Sequence, residues 1–377
     1  MGYLVRPAVV GCAIRPAIVS RERSLEEIIY DISQAALADA GLTIDDIDGI
    51  VVGCNDQFDG RAISVMMASG PTGGVDRDIL STPSSSEHAF ILGALRVASG
   101  QFRTQLVVAW SPTEVSSMAE AQRLGADPYF HRALPLDELS AHALQASALN
   151  HVWPNAWIFA ETVAAKNKRH AAIAFPAPPV RPAQGPERYP LTGRLTTVPV
   201  TGAVAMVLAS ADFVAERGFP APAWVRGMGW ATEAAFLGDR DLTSAPALVE
   251  AARQAYQEAG ITDPSAAFDV VEITDATAYS ELIAYDALGL CQRADIAARM
   301  ADGWFAAGGK TPVNLSGGVV TFNPVFCTGM IRIAEIANQI RGRAGPHQVA
   351  NARLGLAQAG SGFAMQYQSA VVLGAAP

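Results

Sequence analysis

Apolar residues switch between helical and strand periods along this chain, and the switch points outline its elements. Over residues 35–53, AALADAGLTIDDIDGIVVG, small apolar residues recur at helical spacing until Gly41 stops the run. A short acidic turn follows, then a β-branched stretch that reads as a buried strand. Residues 252–273, ARQAYQEAGITDPSAAFDVVEI, repeat the layout: Ala40-Gly41 matches Ala259-Gly260, and Asp48 before the first strand matches Asp269 before the second. Two more correspondences follow in the same order. GALRVASG, ending at Gly100, pairs with EIANQIRG, ending at Gly342, and VTGAVAMVLAS (200–210) pairs with FAMQYQSAVVLG (363–374). One such match is common by chance; three in one order are not. The pattern predicts two copies of one α/β unit, 1–215 and 222–377. Residues 115–195 do not fit the repeat. With the Pro-rich run FPAPPVRPAQGPERYP, they read as a loop-and-helix excursion that covers a site or builds an interface.

Composition narrows the choice by exclusion. The chain has 377 residues, half of them apolar, enough for a large core. Net charge is −9 and no Lys/Arg-dense stretch appears, so no nucleic-acid partner is expected. The basic run KNKRH at 166–170 reads as a solvated helix face. Cys12, Cys54, Cys291 and Cys327 lie far apart with no CxxC spacing, which argues against a zinc site or disulfide framework and fits a reducing cytoplasm. No apolar run approaches the roughly 20 residues of a membrane span. The start, MGYLVRPAVVG, lacks a signal-peptide layout, and Arg6 sits where a myristoylation motif wants Ser or Thr. GWFAAGGKT (303–311) is not a phosphate loop, because Trp304 replaces a required glycine. Cytoplasmic localisation, with no membrane and no metal, is the expectation.

The stretch ILSTPSSSEHAFILGALRVASG (79–100) reads as a strand, a small-residue loop and a helix ending at Gly100. A helix start offers free N–H groups and a positive dipole end, which favour negative charge. The loop supplies Ser84, Ser85 and Ser86, and no cysteine. Ser84 with Glu87 three residues on makes a capping-box pattern; the alternative is Ser84 as a nucleophile with His88 as its base.

Three later segments complete a family pattern: VEITDATAYSELIAYDALGL (271–290), PVNLSGGVVTFNPVFCTG (312–329) and LAQAGSGFA (356–364). Together with the serine loop and the duplication, they resemble the thiolase superfamily over nearly the whole chain, and the sterol-carrier type in particular. Thiolase-like sequences carry a C-x-S-G-x-x-A motif at a fixed distance before an x-S-G helix end. Counting back from Ser99-Gly100 places Ser84 at the cysteine, Ser86 at the motif serine and Glu87 at the glycine. Thr274 stands where the family has histidine, followed by a retained Asp275, and Phe322-Asn323-Pro324 replaces Gly-His-Pro.

The resemblance implies a thiolase-like α/β fold, two duplicated α/β halves stacked in α-β-α-β-α layers. Helices 84–99 and 326–341 would be buried between the sheets. It implies a homodimer, with 105–111 as the dimer-edge strand. The substrate would be an acyl-CoA thioester, with no permanently bound cofactor. A small zinc-ribbon/OB-fold protein or a second thiolase-like subunit is the implied partner. Asn323, Ser84, Thr274 and Asp275 are the candidate catalytic residues, Asn323 as an oxyanion donor. Gly317, Gly318, Gly360, Ser361 and Gly362 would border the pantetheine and catalytic cavity. Cys327 reads as a small buried residue or, alternatively, a helix-start thiol. Tyr279 and Glu281 read as packing and ion-pair residues, or as proton carriers. The implied activity is an acyltransferase-type reaction making or breaking a C–C bond. The alternatives are a cysteine-independent retro-aldolase on a 3-hydroxyacyl-CoA and a non-catalytic scaffold subunit.

Overall fold

Gly41 ends the first long helix with φ 67°, and Gly260 ends its counterpart with φ 71°. Both take the left-handed conformation that glycine adopts without steric cost. The paired aspartates do the same job twice. The Asp48 carboxylate accepts the N–H groups of Arg103 and Thr104 at 2.6 and 3.1 Å, and Asp269 accepts those of Arg353 and Leu354 at 2.8 and 3.0 Å. Each thereby fixes the start of a strand to the turn before its neighbour.

A computed structural model describes residues 5–19, 23–60, 62–113, 117–129 and 131–377. Residues 1–4, read above for targeting signals, and 114–116, at the start of the predicted excursion, lie outside the described residues. Strands and longer helices follow as β1 (Pro7–Arg15), α1 (Leu25–Ala40), β2 (Gly49–Gly53), β3 (Asp78–Thr82), α2 (Ser86–Ala98) and β4 (Thr104–Ser111). Then come α3 (Met118–Gly125), α4 (Glu138–Val152), α5 (Ala156–Ala174), β5 (Gly202–Ser210), β6 (Ala223–Thr232) and α6 (Pro246–Ala259). The chain closes with β7 (Val270–Ile273), α7 (Ala278–Ala287), α8 (Thr328–Ile340), β8 (Leu354–Ser361) and β9 (Tyr367–Gly374).

The strands order as β3-β2-β4-β5-β1-β6-β9-β8-β7. From β6 outward, the second half repeats the first in reverse, with β9 for β5, β8 for β4 and β7 for β2. The halves of the sheet meet at β1 and β6, which among the described residues pair through Ala8–Trp224 and Val9–Ala223. Alternation along the strands then sets the layers. Ile50, Val52, Leu106 and Val108 face α1; Val51, Val107, Val204 and Met206 face inward, onto α2 and α8. Val371 and Leu373 meet the same two helices from the other half of the sheet, while Val271, Leu356 and Val372 face α6. The layers are therefore helix, sheet, paired helices, sheet, helix. The two central helices start two residues later than predicted.

Two sequence expectations fail here. The apolar strand at 105–111 is no edge: β4 lies between β2 and β5 and is buried at every position. An all-apolar strand is covered on both faces, which marks the middle of a sheet. The exposed edge is β3 instead. The KNKRH run is not a solvated face either. Lys166, Asn167 and His170 are buried, because α5 lays Ala160, Val163 and Ala164 onto the second half's core. The same helix face carries a polar network. Lys166 Nζ lies 2.9 Å from Glu281 Oε1, and Asn167 Nδ2 bonds Asp275 Oδ2 and Glu281 Oε2, each at 2.7 Å. Asn314 donates to Glu281 Oε2 at 2.7 Å, and the Tyr285 hydroxyl donates to Oε1. His170 Nε2 accepts the Ala307 N–H at 3.1 Å, so Nδ1 carries the proton given to the Asn314 carbonyl. Burial and then the Lys166 charge lower its pKa.

Close helix–strand approach rests on glycine in both halves. A Cβ on Gly11 of β1 would stand 2.5 Å from the Ala36 carbonyl oxygen of α1. On β6, a Cβ at Gly229 or Gly227 would stand 2.0 or 2.2 Å from the carbonyl oxygens of Ala251 or Ala255 in α6. Gly229→Ala is therefore expected to cost about 1–3 kcal/mol in chemical denaturation. Gly70→Ala, where a Cβ meets open space, should stay within about 0.5 kcal/mol. Equal effects would show that α6 shifts freely. The second expectation concerns Asp275. Burial, and then the Glu281 charge, push its carboxyl up to about 8. Its folded-state proton affinity exceeds the unfolded chain's, so the stability it lends is complete at acid pH and is lost as pH rises through about 8. Urea midpoints taken between about pH 6 and about pH 9 should fall in the natural chain and flatten in Asp275→Asn. Parallel slopes would show that Asp275 is already ionised at neutrality.

Candidate active site at the paired helix starts

The serine run SSS provides short side chains where α2 begins against α8. The Ser86 N–H donates to the Phe326 carbonyl at 3.2 Å, and the Met330 N–H donates to Ser86 Oγ at 3.0 Å. The Phe326 N–H in turn donates to Ser111 Oγ at 3.2 Å. Two buried helices thus start side by side, each lending a partial positive charge to one place. Gly329 makes the approach possible: a Cβ there would stand 2.2 Å from Glu87 Oε2.

Ser84 does not cap the helix. It is exposed, and the residue in the N-cap position is Ser85, with φ −63° and ψ 161°. The Ser85 hydroxyl makes no cap bond either. It donates to Glu87 Oε1 at 2.6 Å and lies 2.8 Å from Ser361 Oγ at the end of β8. Ser361 Oγ lies 3.5 Å from the same carboxylate oxygen. Glu87 is buried, 1% exposed, and His88 Nδ1 stands 3.6 Å from Oε1, outside hydrogen-bond distance. The alternative reading, with His88 as a base for Ser84, has no hydrogen bond between the two among the described residues.

The other candidate residues divide among three places. Ser361 and its neighbours Gly360 and Gly362 form the rim beside Ser85; Gly362 has φ 77°, and Gly360 leaves room for Met365. Asn323 is half-buried in the loop before α8, its carbonyl accepting the Val200 N–H at 2.9 Å. Pro324 packs at Gly202, where a Cβ would stand 2.5 Å from it. Thr274, one residue past β7, bonds Gln358 and lines a small cleft with Leu248, Ser280 and Gln368. Asp275 belongs to the polar network and accepts the Val319 N–H at 2.5 Å. Gly317 and Gly318 are not open to a ligand, for their Cβ positions are filled by Ala171 and by the Asp275 carboxylate. Thr274, Asp275, Gly317 and Gly318 are therefore removed from the serine cluster.

Three further residues find plain structural places. The Cys327 thiol is fully buried, 3.6 Å from the Gly202 carbonyl, and burial raises its pKa well above the ordinary thiol range. Tyr279 is bonded to Asn150, and Glu281 is held by Lys166. The Ser85–Glu87–Ser361 cluster is what sequence reading missed. Its one visible signal was a glutamate at the motif's glycine position. Among the described residues, no helix is long and apolar enough to cross a membrane.

Residues 230–375 match a family model described as thiolase C-terminal domain-like. The chain is 34% identical over 157 residues to an acetyl-CoA acetyltransferase of Methanothermobacter thermautotrophicus, covering 41% of this chain and 40% of that one. It is 39% identical over 108 residues to sterol carrier protein 2 of Homo sapiens, covering 28% and 19%. The matches thus span less than half the length of these curated relatives. Among solved structures, the Ltp2-ChsH2(DUF35) aldolase superposes with a TM-score of 0.80 at 21% identity, over 100% of this chain and 99% of that one. Sequence likeness and fold agree: the chain belongs to the thiolase superfamily.

Proposed function

We propose that this chain is an enzyme acting on an acyl-CoA thioester, and that it cleaves or forms a carbon–carbon bond by aldol chemistry on a 3-hydroxyacyl-CoA without an acyl-enzyme. The observation that carries this reading is the lack of a usable thiol. Serines occupy the start of α2, and all four cysteines are buried. Burial pushes the Cys12 and Cys54 thiols up to about 12, and that of Cys291 to about 11. Thiolate is the form that attacks a thioester, so the acyl-cysteine route has no nucleophile. Retro-aldol cleavage needs none. A base takes the 3-hydroxyl proton, the C2–C3 bond breaks, and the electron pair passes into the thioester carbonyl, where donors hold the enolate. The paired helix starts and the Asn323 amide are the donors in this reading. The coenzyme A thioester is substrate, and no permanently bound cofactor is invoked. The likeness to an aldolase structure that contains a DUF35 protein supports a comparable small partner, of the zinc-ribbon/OB-fold kind. We also propose cytoplasmic localisation, halves bounded at 1–215 and 222–377, and a homodimer formed by a second copy along β3. That strand is the sheet's exposed edge and carries Leu80, which is 44% exposed.

Asn323→Ala is expected to lower cleavage of a 3-hydroxyacyl-CoA on the order of a hundredfold. Ser84→Ala should leave it within about twofold, because the side chain is exposed and unused. Mass spectrometry after incubation with acyl-CoA should find no adduct; an acyl group on any serine or cysteine would restore a covalent mechanism. Light scattering should give a dimer that Leu80→Lys dissociates. A natural chain that is monomeric at micromolar concentration would remove the β3 interface.

A further inference from the structure

Glu87 is a buried carboxylate with hydroxyls, not a cation, for its hydrogen-bonding neighbours. A carboxylate removed from water without a counter-ion is costly unless hydrogen bonds satisfy it. Among the described residues, Oε1 is met by Ser85 Oγ at 2.6 Å and Ser361 Oγ at 3.5 Å, and Gly329 leaves the space that Oε2 fills. The arrangement is not a helix cap, for an N-cap serine ordinarily accepts a backbone N–H and this hydroxyl is turned to the carboxylate instead. Exposure is graded across the cluster. Glu87 is 1% exposed, Ser85 is 9% exposed and Ser361 is half-buried. Ser85, with Ser361 beside it, thus stands between Glu87 and the open side, while the half-buried His88 ring lies 3.6 Å from Oε1.

We propose that Ser85 and Glu87, with Ser361 holding the hydroxyl in line, form the proton relay of the reaction; this rests on the reading of the site as one for CoA-thioester carbon–carbon chemistry. In cleavage, the 3-hydroxyl of the substrate gives its proton to Ser85 Oγ while the Ser85 proton passes to Glu87 Oε1. The C2–C3 bond breaks, a carbonyl forms at C3, and the bonding pair becomes the thioester enolate. The relay then runs backward: Glu87 returns its proton to Ser85, and Ser85 protonates C2. The substrate's own hydroxyl proton ends on C2, so no co-reactant is consumed. Ser85 touches the reacting atoms in this scheme, and Glu87 acts through it.

The relay has a partial reaction that does not require cleavage: exchange of the C2 protons of a simple acyl-CoA with solvent. The full chain is incubated with propionyl-CoA in deuterated water, and deuterium at C2 is followed by mass spectrometry. Exchange is expected in the natural chain and should fall on the order of a hundredfold in Glu87→Gln and in Ser85→Ala. The half-saturating propionyl-CoA concentration should stay within about twofold, whereas a merely structural loss at the helix start moves both quantities. Ser361→Ala, which removes one hydroxyl on the open side, should show a smaller fall of the same kind. Exchange that persists in Glu87→Gln overturns the relay while leaving the carbon–carbon reading intact if 3-hydroxyacyl-CoA is still cleaved. Exchange in the natural chain without cleavage of any 3-hydroxyacyl-CoA upholds the relay and overturns the cleavage reading. A natural chain that neither exchanges nor cleaves overturns both.

Discussion

The first residues of α2 and α8 are buried against each other, and the structure depends on how the two helices satisfy their first N–H groups together. Each helix start leaves several backbone donors without an intrahelical partner. Ser86 serves both helices, giving its N–H to the Phe326 carbonyl and its hydroxyl oxygen to the Met330 N–H. The solution requires the starts to lie side by side, so it also fixes where the dipole ends point and what stands between them. Gly329 on one helix and Glu87 on the other share a space that admits only one side chain. The site is thus a consequence of the way the two halves join, and neither half contains it alone.

The duplication was legible because its signals are local. A glycine that ends a helix and an aspartate that fixes the next strand act within a few residues of themselves, and Gly41, Gly260, Asp48 and Asp269 do so as their positions predict. The central helices were legible for the same reason: few charges over a helical stretch demand cover on all sides. The failures share the opposite cause. Whether Lys166 faces solvent depends on what α5 packs against, and its partner Glu281 lies far along the chain. The cap residue lies one position after the expected one, and its hydroxyl meets Glu87 and Ser361, the latter 276 residues away, a contact that local sequence does not carry. Thr274 comes one residue after the end of β7 and bonds Gln358, so it lines the cleft beside Leu248 and not the place where Ser361 meets Ser85, a change at the strand's end that motif spacing does not carry.

The same logic separates the two kinds of glycine in the family motifs. Gly317 and Gly318 look like a ligand-cradling pair, but their missing side chains make room for Ala171 and Asp275. Gly317 lets α5 of the first half seat against this loop, and Gly318 makes room for the Asp275 carboxylate within the second half. Asp275, conspicuous in the motif, holds that loop by accepting the Val319 N–H. Asp275, Gly317 and Gly318, which follow the family motifs, are here part of the frame, while Glu87, which departs from them, is the buried carboxylate that meets Ser85 and lies close to Ser361.

The excursion from the first half has a consequence for how the chain is made. Helix α5 lends Asn167 to Asp275 and Glu281, which lie 108 and 114 residues later. At a synthesis rate of about 5–20 residues per second, α5 waits on the order of ten seconds before its partners exist. During that interval its lysine, asparagine and histidine stand in water, where such side chains are at ease. A wholly apolar α5 would have had to be shielded from other nascent chains. A polar seam between the halves therefore suits the ribosome as well as the finished protein.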